Sequence, residues 1–271
     1  MRAYHCLQSG ACCFFAGHWC PLSARPLCSQ RLPGPPFLTD DPEPVDYRHW
    51  EINNYVSSVF AKGSSYTVLP GSDINYGILP NVQAHVNVAM AASLTSGDGR
   101  NYGPADLELG VKSRFVNAKP EDWWPQIGLY PFLDLPTGDA SRGLGTGSVH
   151  AFLPIWIQKD FGKWTTYGGG GYWSNPGPGN RDYWYMGWVL LRQITDTLQL
   201  GREIYHQTRS NMSAPGSPGF PFGTRNMTGF NLGGTYDFDK TYHLLFSAGR
   251  GLENAASSND FSFYVALRLT Y

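Results

Sequence analysis

The last eleven residues alternate without a break. Phe261, Phe263, Val265, Leu267, Leu269 and Tyr271 fall on one side of an extended strand, and Ser262, Tyr264, Ala266, Arg268 and Thr270 on the other. Successive strand side chains point to opposite faces, so one side is apolar along its whole length and the other small or polar. A tilted strand needs about ten such residues to cross a bilayer. On its own the segment also suits the edge of a soluble sandwich, so the rest of the chain has to decide.

Composition narrows the choice. Charged residues make up 15% of the 271 residues, against roughly 25% in soluble domains. A chain so poor in charge should read as strongly apolar, yet its mean hydropathy is −0.30. A barrel reconciles the two, because alternating faces cancel in the average. A net charge of −1 gives no electrostatic case for a nucleic-acid partner. No run of eighteen apolar residues is present, so a transmembrane helix is not expected.

From Arg48 onward the chain breaks into twelve short runs with period-two patterning. They cover 48–60, 66–78, 81–92, 105–117, 125–135, 148–159, 163–173, 182–194, 197–207, 226–238, 242–250 and 260–271. In the third, Val82, Ala84, Val86, Val88 and Met90 oppose Gln83, His85, Asn87 and Ala89. In the fourth, Leu107, Leu109, Val111 and Phe115 oppose Asp106, Glu108, Lys112 and Arg114. Four charges on one face exclude lipid from that side.

The connections alternate in length. Pro80, Lys119–Trp124, Asp160–Gly162, Thr195–Asp196 and Phe238–Thr241 are short; Ser93–Pro104, Pro136–Gly147, Ser174–Arg181, Thr208–Arg225 and Gly251–Asn259 are mostly longer. Short turns on one side and long loops on the other predict an all-β, antiparallel transmembrane barrel of about twelve strands, with short periplasmic turns and longer external loops. Trp123, Trp124, Phe161, Trp164, Trp173, Tyr183, Trp184, Tyr236, Phe238 and Tyr271 cluster near run ends, where aromatic rings favour the headgroup zone. Two features fit less well. The run Tyr183–Gln193 is apolar on both faces, and Arg202 falls on the lipid-facing side with Leu198, Leu200 and Ile204.

Residues 1–30 read as a secretion leader of imperfect form, with Arg2 ahead of the apolar patch Ala11–Gly17, and the start codon is open to reassignment. All five Cys lie there, at 6, 12, 13, 20 and 28, and an odd number without His spacing matches no zinc pattern. No metal or cofactor is expected. Residues 31–47, rich in Pro and acid, read as an extended periplasmic lead-in, and 48–271 as the barrel.

Several stretches resemble the outer-membrane family of the MetA pathway of phenol degradation, whose members are also described as transporters. They are Gly34-Pro35-Pro36-Phe37-Leu38-Thr39-Asp40-Asp41-Pro42-Glu43-Pro44, Leu135-Pro136-Thr137-Gly138-Asp139, Tyr167-Gly168-Gly169-Gly170-Gly171-Tyr172-Trp173 and Leu245-Phe246-Ser247-Ala248-Gly249-Arg250-Gly251. The likeness covers roughly residues 34–271. It implies a barrel that moves small molecules, aromatic or hydrophobic ones among them. The closing strand is similar to the terminal strand that the barrel assembly machinery reads in bacterial outer membranes, which would make Phe263, Val265, Leu267, Leu269 and Tyr271 an assembly signal.

The inward face supplies the candidate site. Gln83, His85, Asn87, Asp106, Glu108, Lys112, Arg114, Asp134, His150, Glu203 and Arg268 are expected to line the lumen, either as charged rings that select a small-molecule solute or as a paired polar plug. The loop from Pro136, Thr137, Gly138 and Asp139 to Gly147 looks like a phosphate cradle. A strand rather than a helix follows it, so the loop is expected to fold over or into the barrel mouth. A lipid hydrolase on the outer wall is the enzymatic alternative, centred on His206 with Thr208 or Ser210.

The leading reading is therefore a non-enzymatic bacterial outer-membrane channel for passive passage, surrounded by outer-membrane lipid. The alternatives are a lipid hydrolase and a structural barrel with a plugged lumen. Deleting Tyr271 should cut the yield of membrane-assembled barrel, measured by heat-modifiable migration. The barrel that does assemble should keep its pore properties.

Overall fold

The computed structural model describes residues 36–95, 99–212 and 222–271. The leader expected over 1–30, with its five cysteines, lies outside the described residues. Fourteen strands form one antiparallel sheet. They are β1 (Trp50–Ala61), β2 (Ser64–Leu79), β3 (Val82–Thr95), β4 (Gly99–Pro104), β5 (Leu107–Val116), β6 (Gln126–Leu129) and β7 (Phe132–Leu135). After a 3-10 turn at Ala140–Arg142 come β8 (His150–Phe161), β9 (Trp164–Ser174), β10 (Tyr183–Gln193), β11 (Leu198–Gln207), β12 (Met227–Asp237) and β13 (Tyr242–Gly251). A short helix, α1 (Ala255–Ser258), precedes β14 (Phe261–Thr270).

Two interruptions reduce the fourteen strands to twelve staves. β4 pairs with β3 from Met90 to Thr95 and β5 pairs with it from Val82 to Asn87, so the two follow one line. β6 and β7 share the lane between β5 and β8 and are divided at Tyr130-Pro131, where Pro removes a ladder donor. β1 pairs with β14 from Glu51 opposite Thr270 to Phe60 opposite Phe261 and closes the ring. Trp50 N donates to Tyr271 O at 2.7 Å, and Tyr271 N donates to Trp50 O at 3.1 Å. This end, with Trp50 and Tyr271, is the lower end.

Lower connections are short, except for residues 117–125 between β5 and β6. Pro80-Asn81 and Gly162-Lys163 turn tightly, with Asn81 at φ 63° and Gly162 at φ 60°, a left-handed conformation that these residue types tolerate. Upper connections are longer, except for the two-residue turn Lys62-Gly63 between β1 and β2 and the three residues 96–98 between β3 and β4.

Alternation fixes what each face meets. Along β14, Phe261, Val265 and Leu267 are exposed outward, while Ser262, Ala266 and Arg268 are buried inside. Phe161, Trp184, Tyr236, Phe238 and Tyr271 are exposed near strand ends, as an interfacial girdle requires. Trp173 and Tyr183 depart from that expectation. They stack in the interior with centroids 5.5 Å apart and an interplanar angle of 10°. The same shift explains the doubly apolar β10. Tyr183, Tyr185, Val189 and Leu191 point into the interior, which here is aromatic and aliphatic rather than polar.

A second correction concerns the lead-in. Residues 36–46 do not stay on the periplasmic side of the barrel. They lie inside it and descend towards the lower end, from Pro36 beside Ser247 on β13, past Glu203 at the middle of β11, to Val45 beside Gln83 at the foot of β3.

β11 holds its register against both neighbours, with Arg202 opposite Leu190 and Leu232 and no bulge to turn it inward. Arg202 is exposed at mid-strand on the outer face. A guanidinium at that depth costs about 2–4 kcal/mol in a bilayer. Arg202→Leu should therefore stabilise the barrel by about that amount, read from guanidinium chloride titration in lipid vesicles. An unchanged midpoint would show that Arg202 is not in the hydrocarbon layer.

Candidate functional site in the barrel lumen

The segment 36–46 acts as a strap across the lumen. Pro36, Pro42 and Pro44 keep it extended, so its backbone groups need partners from the wall. Glu203 on β11 supplies the main anchor. Its carboxylate accepts from Thr39 N at 2.6 Å and Leu38 N at 3.3 Å, and also from Asn231 Nδ2 at 2.6 Å and the Tyr185 hydroxyl at 3.3 Å. Ser247 donates to Pro36 O at 2.5 Å, and Val45 N donates to Gln83 Oε1 at 2.8 Å.

Charge on the strap meets charge on β5. Lys112 Nζ sits 2.9 Å from Asp40 Oδ1 and 3.5 Å from Asp41 Oδ1. Arg114 lies 3.8 Å from Glu43 and donates to Gln126 Oε1 at 2.5 Å and Asn81 Oδ1 at 2.9 Å. Glu43 Oε1 also accepts from Gln126 at 2.6 Å and Gln158 at 2.9 Å. Burial, and after it the charge of Asp41, pushes the Glu43 carboxyl up to about 7, with Gln126 and Arg114 opposing.

Beside the strap, His85 joins three strands. Its Nδ1 lies 2.9 Å from Asp73 Oδ1 and 3.0 Å from Asn75 Oδ1, and its Nε2 lies 2.8 Å from Glu108 Oε1. Asn75 also accepts from Gln83. Asn87 accepts from the Tyr55 hydroxyl at 3.1 Å. Beside this cluster is a cavity of about 160 Å³. Asp40, Asp73, His85, Asn87 and Glu108 are among its polar lining residues and Tyr130, Phe132, Phe152 and Trp156 among its aromatic ones, with Tyr130 edge-on to His85 at 5.4 Å between centroids.

Arg268 is buried at the base of β14, where Nε donates to Asn53 Oδ1 at 2.8 Å and Nη1 lies 3.3 Å from Glu51. Asp134 and His150 are buried opposite each other on β7 and β8, away from the strap. Asp106 departs from the expected lumen ring. It sits between β4 and β5 and binds the loop of residues 136–149, accepting from Gly138 N at 2.9 Å and from Thr146 N and Oγ1 at 2.7 Å each.

That contact explains the Pro136-Thr137-Gly138-Asp139 motif in structural terms. Thr137 Oγ1 bridges Leu107 N at 2.9 Å and Ala105 O at 3.1 Å. Gly138 leaves no room for a Cβ, which would stand 2.7 Å from Leu144 O. Asp139 accepts from Ser141 N at 3.0 Å and starts the 3-10 turn, and the Ser141 hydrogen bonds hold its carboxyl below the usual range. The loop ends by inserting Leu144 among Tyr66, Val68, Ala91 and Ala105 in the barrel interior. Phe222, from the loop before β12, joins the same cluster.

On the outer wall, His206 Nδ1 lies 2.9 Å from the Thr228 hydroxyl, which donates to Glu253 Oε2 at 3.1 Å. The hydroxyl is the middle member, whereas a nucleophilic triad places the His between hydroxyl and carboxylate. Ser210 is turned into its loop, where it donates to Gly223 O at 3.3 Å and accepts from Met212 N. The His206/Ser210 arrangement expected of a hydrolase does not form.

The sequence pattern left out Asp73 and the inward aromatic side chains. Asp73 was legible, since it alternates with Gly71, Asn75 and Gly77 on the inner face of β2. The strap acids were not assigned to the site, although their charge complements Lys112 and Arg114.

A closed twelve-stave antiparallel barrel with an apolar outer belt and a charged lumen defines a protein of the outer-membrane β-barrel class. The chain belongs to the family described as "Putative MetA-pathway of phenol degradation", whose model matches residues 52–269. Among solved structures it is similar to the COG4313 outer membrane channel from Pseudomonas putida F1, at 18% identity and a TM-score of 0.61, over 85% of this chain and 98% of that one. Similarity to the translocator domain of autotransporter NalP from Neisseria meningitidis is lower, at 12% identity and a TM-score of 0.46, over 82% and 86% of the two chains. No curated protein matches the sequence.

Asp106→Ala should release the loop of residues 136–149. Losing a carboxylate that satisfies two backbone donors costs about 1–3 kcal/mol. Limited proteolysis of the vesicle-embedded protein should then cut within residues 139–147, where the parent is protected. Equal protection in both would remove Asp106 from this role.

Proposed function

We propose that the protein is a passive outer-membrane channel for small molecules, aromatic ones among them, whose conductance is limited by the strap of residues 36–46. The observation that carries this reading is the cavity of about 160 Å³ beside the strap, lined by both aromatic rings and charged groups. Wall residues cannot move aside, because each ladder hydrogen bond they gave up would face hydrocarbon. The strap can, because water can satisfy its backbone once it leaves. The exposed apolar belt, and the resemblance of the closing strand to an assembly signal, support a place in the bacterial outer membrane.

A second reading, a structural barrel with a plugged lumen, is favoured by the strap below and by Leu144 and Phe222 above. Planar-bilayer recordings separate the two. A channel should conduct in potassium chloride, and deletion of residues 36–46 should raise that conductance several-fold. Silence in both proteins would leave the structural barrel.

The Glu43 carboxyl gives this gate a pH dependence of definite sign. Its docked value of about 7 lies above the ordinary 4.5. Below both values the group is neutral whether docked or free and does not affect docking; as pH rises through the interval the free group ionises first, and docking weakens until the level beyond about 7. Conductance should therefore rise from pH 5 to pH 8, and Glu43→Gln should flatten the step. An undiminished step in Glu43→Gln would assign the titration to another group.

A further inference from the structure

The lumen carries more acid than base. Asp40, Asp41, Glu43, Glu51, Asp73 and Glu108 are set against Lys112, Arg114, Arg268 and His85. Asp134, Asp160 and Glu203 are further inward carboxyl groups. The imbalance is concentrated at the cavity. Asp40, Asp73 and Glu108 line it, and no Lys or Arg does; His85 is the one basic lining residue.

The same cavity is lined by Tyr130, Phe132, Phe152 and Trp156. The negative faces of aromatic rings attract cations, and more strongly where water is excluded. The volume suits one ring, since a cavity of about 150 Å³ holds benzene. A separate observation points to a ligand. Ser57 lines the cavity, is only 2% exposed, and leaves its hydroxyl without a hydrogen-bond partner. A buried hydroxyl in that state costs free energy until a donor or acceptor reaches it.

From these features we infer that the cavity is a binding site for a single-ring organic cation, an arylalkyl ammonium. The ring packs against Phe132, Phe152 and Trp156. The ammonium, which only donates hydrogen bonds, faces the Asp73 and Glu108 carboxylates and can donate to Ser57. A carboxylate on the same ring would meet three acids and is rejected. This assignment deepens the channel reading and rests on it for passage, although binding itself can be measured without flux.

Three probes of one shape test it: benzylammonium, benzyl alcohol and benzoate, titrated calorimetrically into the purified full chain in detergent. Benzylammonium should bind more tightly than benzoate by about tenfold or more, with the alcohol between them. Asp73→Asn combined with Glu108→Gln should abolish the charge order. Should that variant fail to show heat-modifiable migration, Asp40→Asn, placed on the strap outside the wall, should weaken benzylammonium alone. Equal affinities, the reverse order, or no heat from benzylammonium at millimolar concentration would overturn the site. Potassium chloride conductance without the charge order would keep the channel and remove the site. The charge order without conductance would keep the site and remove the channel.

Discussion

The pairing of β1 with β14 is the interaction on which the structure depends. Water is absent from the hydrocarbon layer, so an unpaired strand edge there would leave a row of donors and acceptors unsatisfied at several kcal/mol each. Closure from Glu51 opposite Thr270 to Phe60 opposite Phe261 removes that edge. It also forces the division of faces. Once the ring is sealed, every second side chain must sit in lipid and the rest must share a narrow interior. Arg268 and Glu51 pair inside at the very seam, so the closing contact places charge in the lumen as well as ending the sheet.

Inside, two chemistries divide the space. The lower part is held by charge, with strap acids against Lys112 and Arg114 and Glu203 gripping the strap backbone. The β6 to β12 side is filled by rings, with Phe152 stacked on Trp173 at 4.7 Å and Trp173 on Tyr183 at 5.5 Å. Glycines make this packing possible where a wall strand passes close to something inside. At Gly187 a Cβ would stand 1.8 Å from the Thr39 hydroxyl, so any other residue there would force the Thr39 side chain out of its place against β10. The wall and the strap are therefore shaped for each other.

These particulars show what a linear sequence conveys. The strands were legible because period two survives any tertiary context that has one wet and one apolar side, and β14 and β3 fall where the pattern places them. β10 was not, because a ring-filled interior gives no contrast with lipid; Trp173 and Tyr183 look the same at a headgroup or in a core. The strap was least legible. An extended Pro-rich acidic segment has the same local pattern in solvent as in a lumen, and its placement is decided by residues far along the chain, Glu203 above all. Asp106 shows the limit of face assignment: its parity is that of the lumen residues, but the break between β4 and β5 frees it to hold a loop.

The difference between wall and strap bears on how such a barrel can move. A wall amide that loses its partner faces lipid and has no substitute. A strap amide that leaves Glu203 gains water, so releasing it exchanges one hydrogen bond for another, at a net cost of about 1.5–3 kcal/mol for a bond to a charged group. The strap's ion pairs with Lys112 and Arg114 are subject to the same exchange, since the separated charges become hydrated instead of being stranded in hydrocarbon. The sheet is thus fixed by its solvent while the segment inside it is held by interactions that water can replace. Any conformational change confined to the membrane must then fall on the strap and on the loops that carry Leu144 and Phe222, and the strands serve as the frame against which they shift.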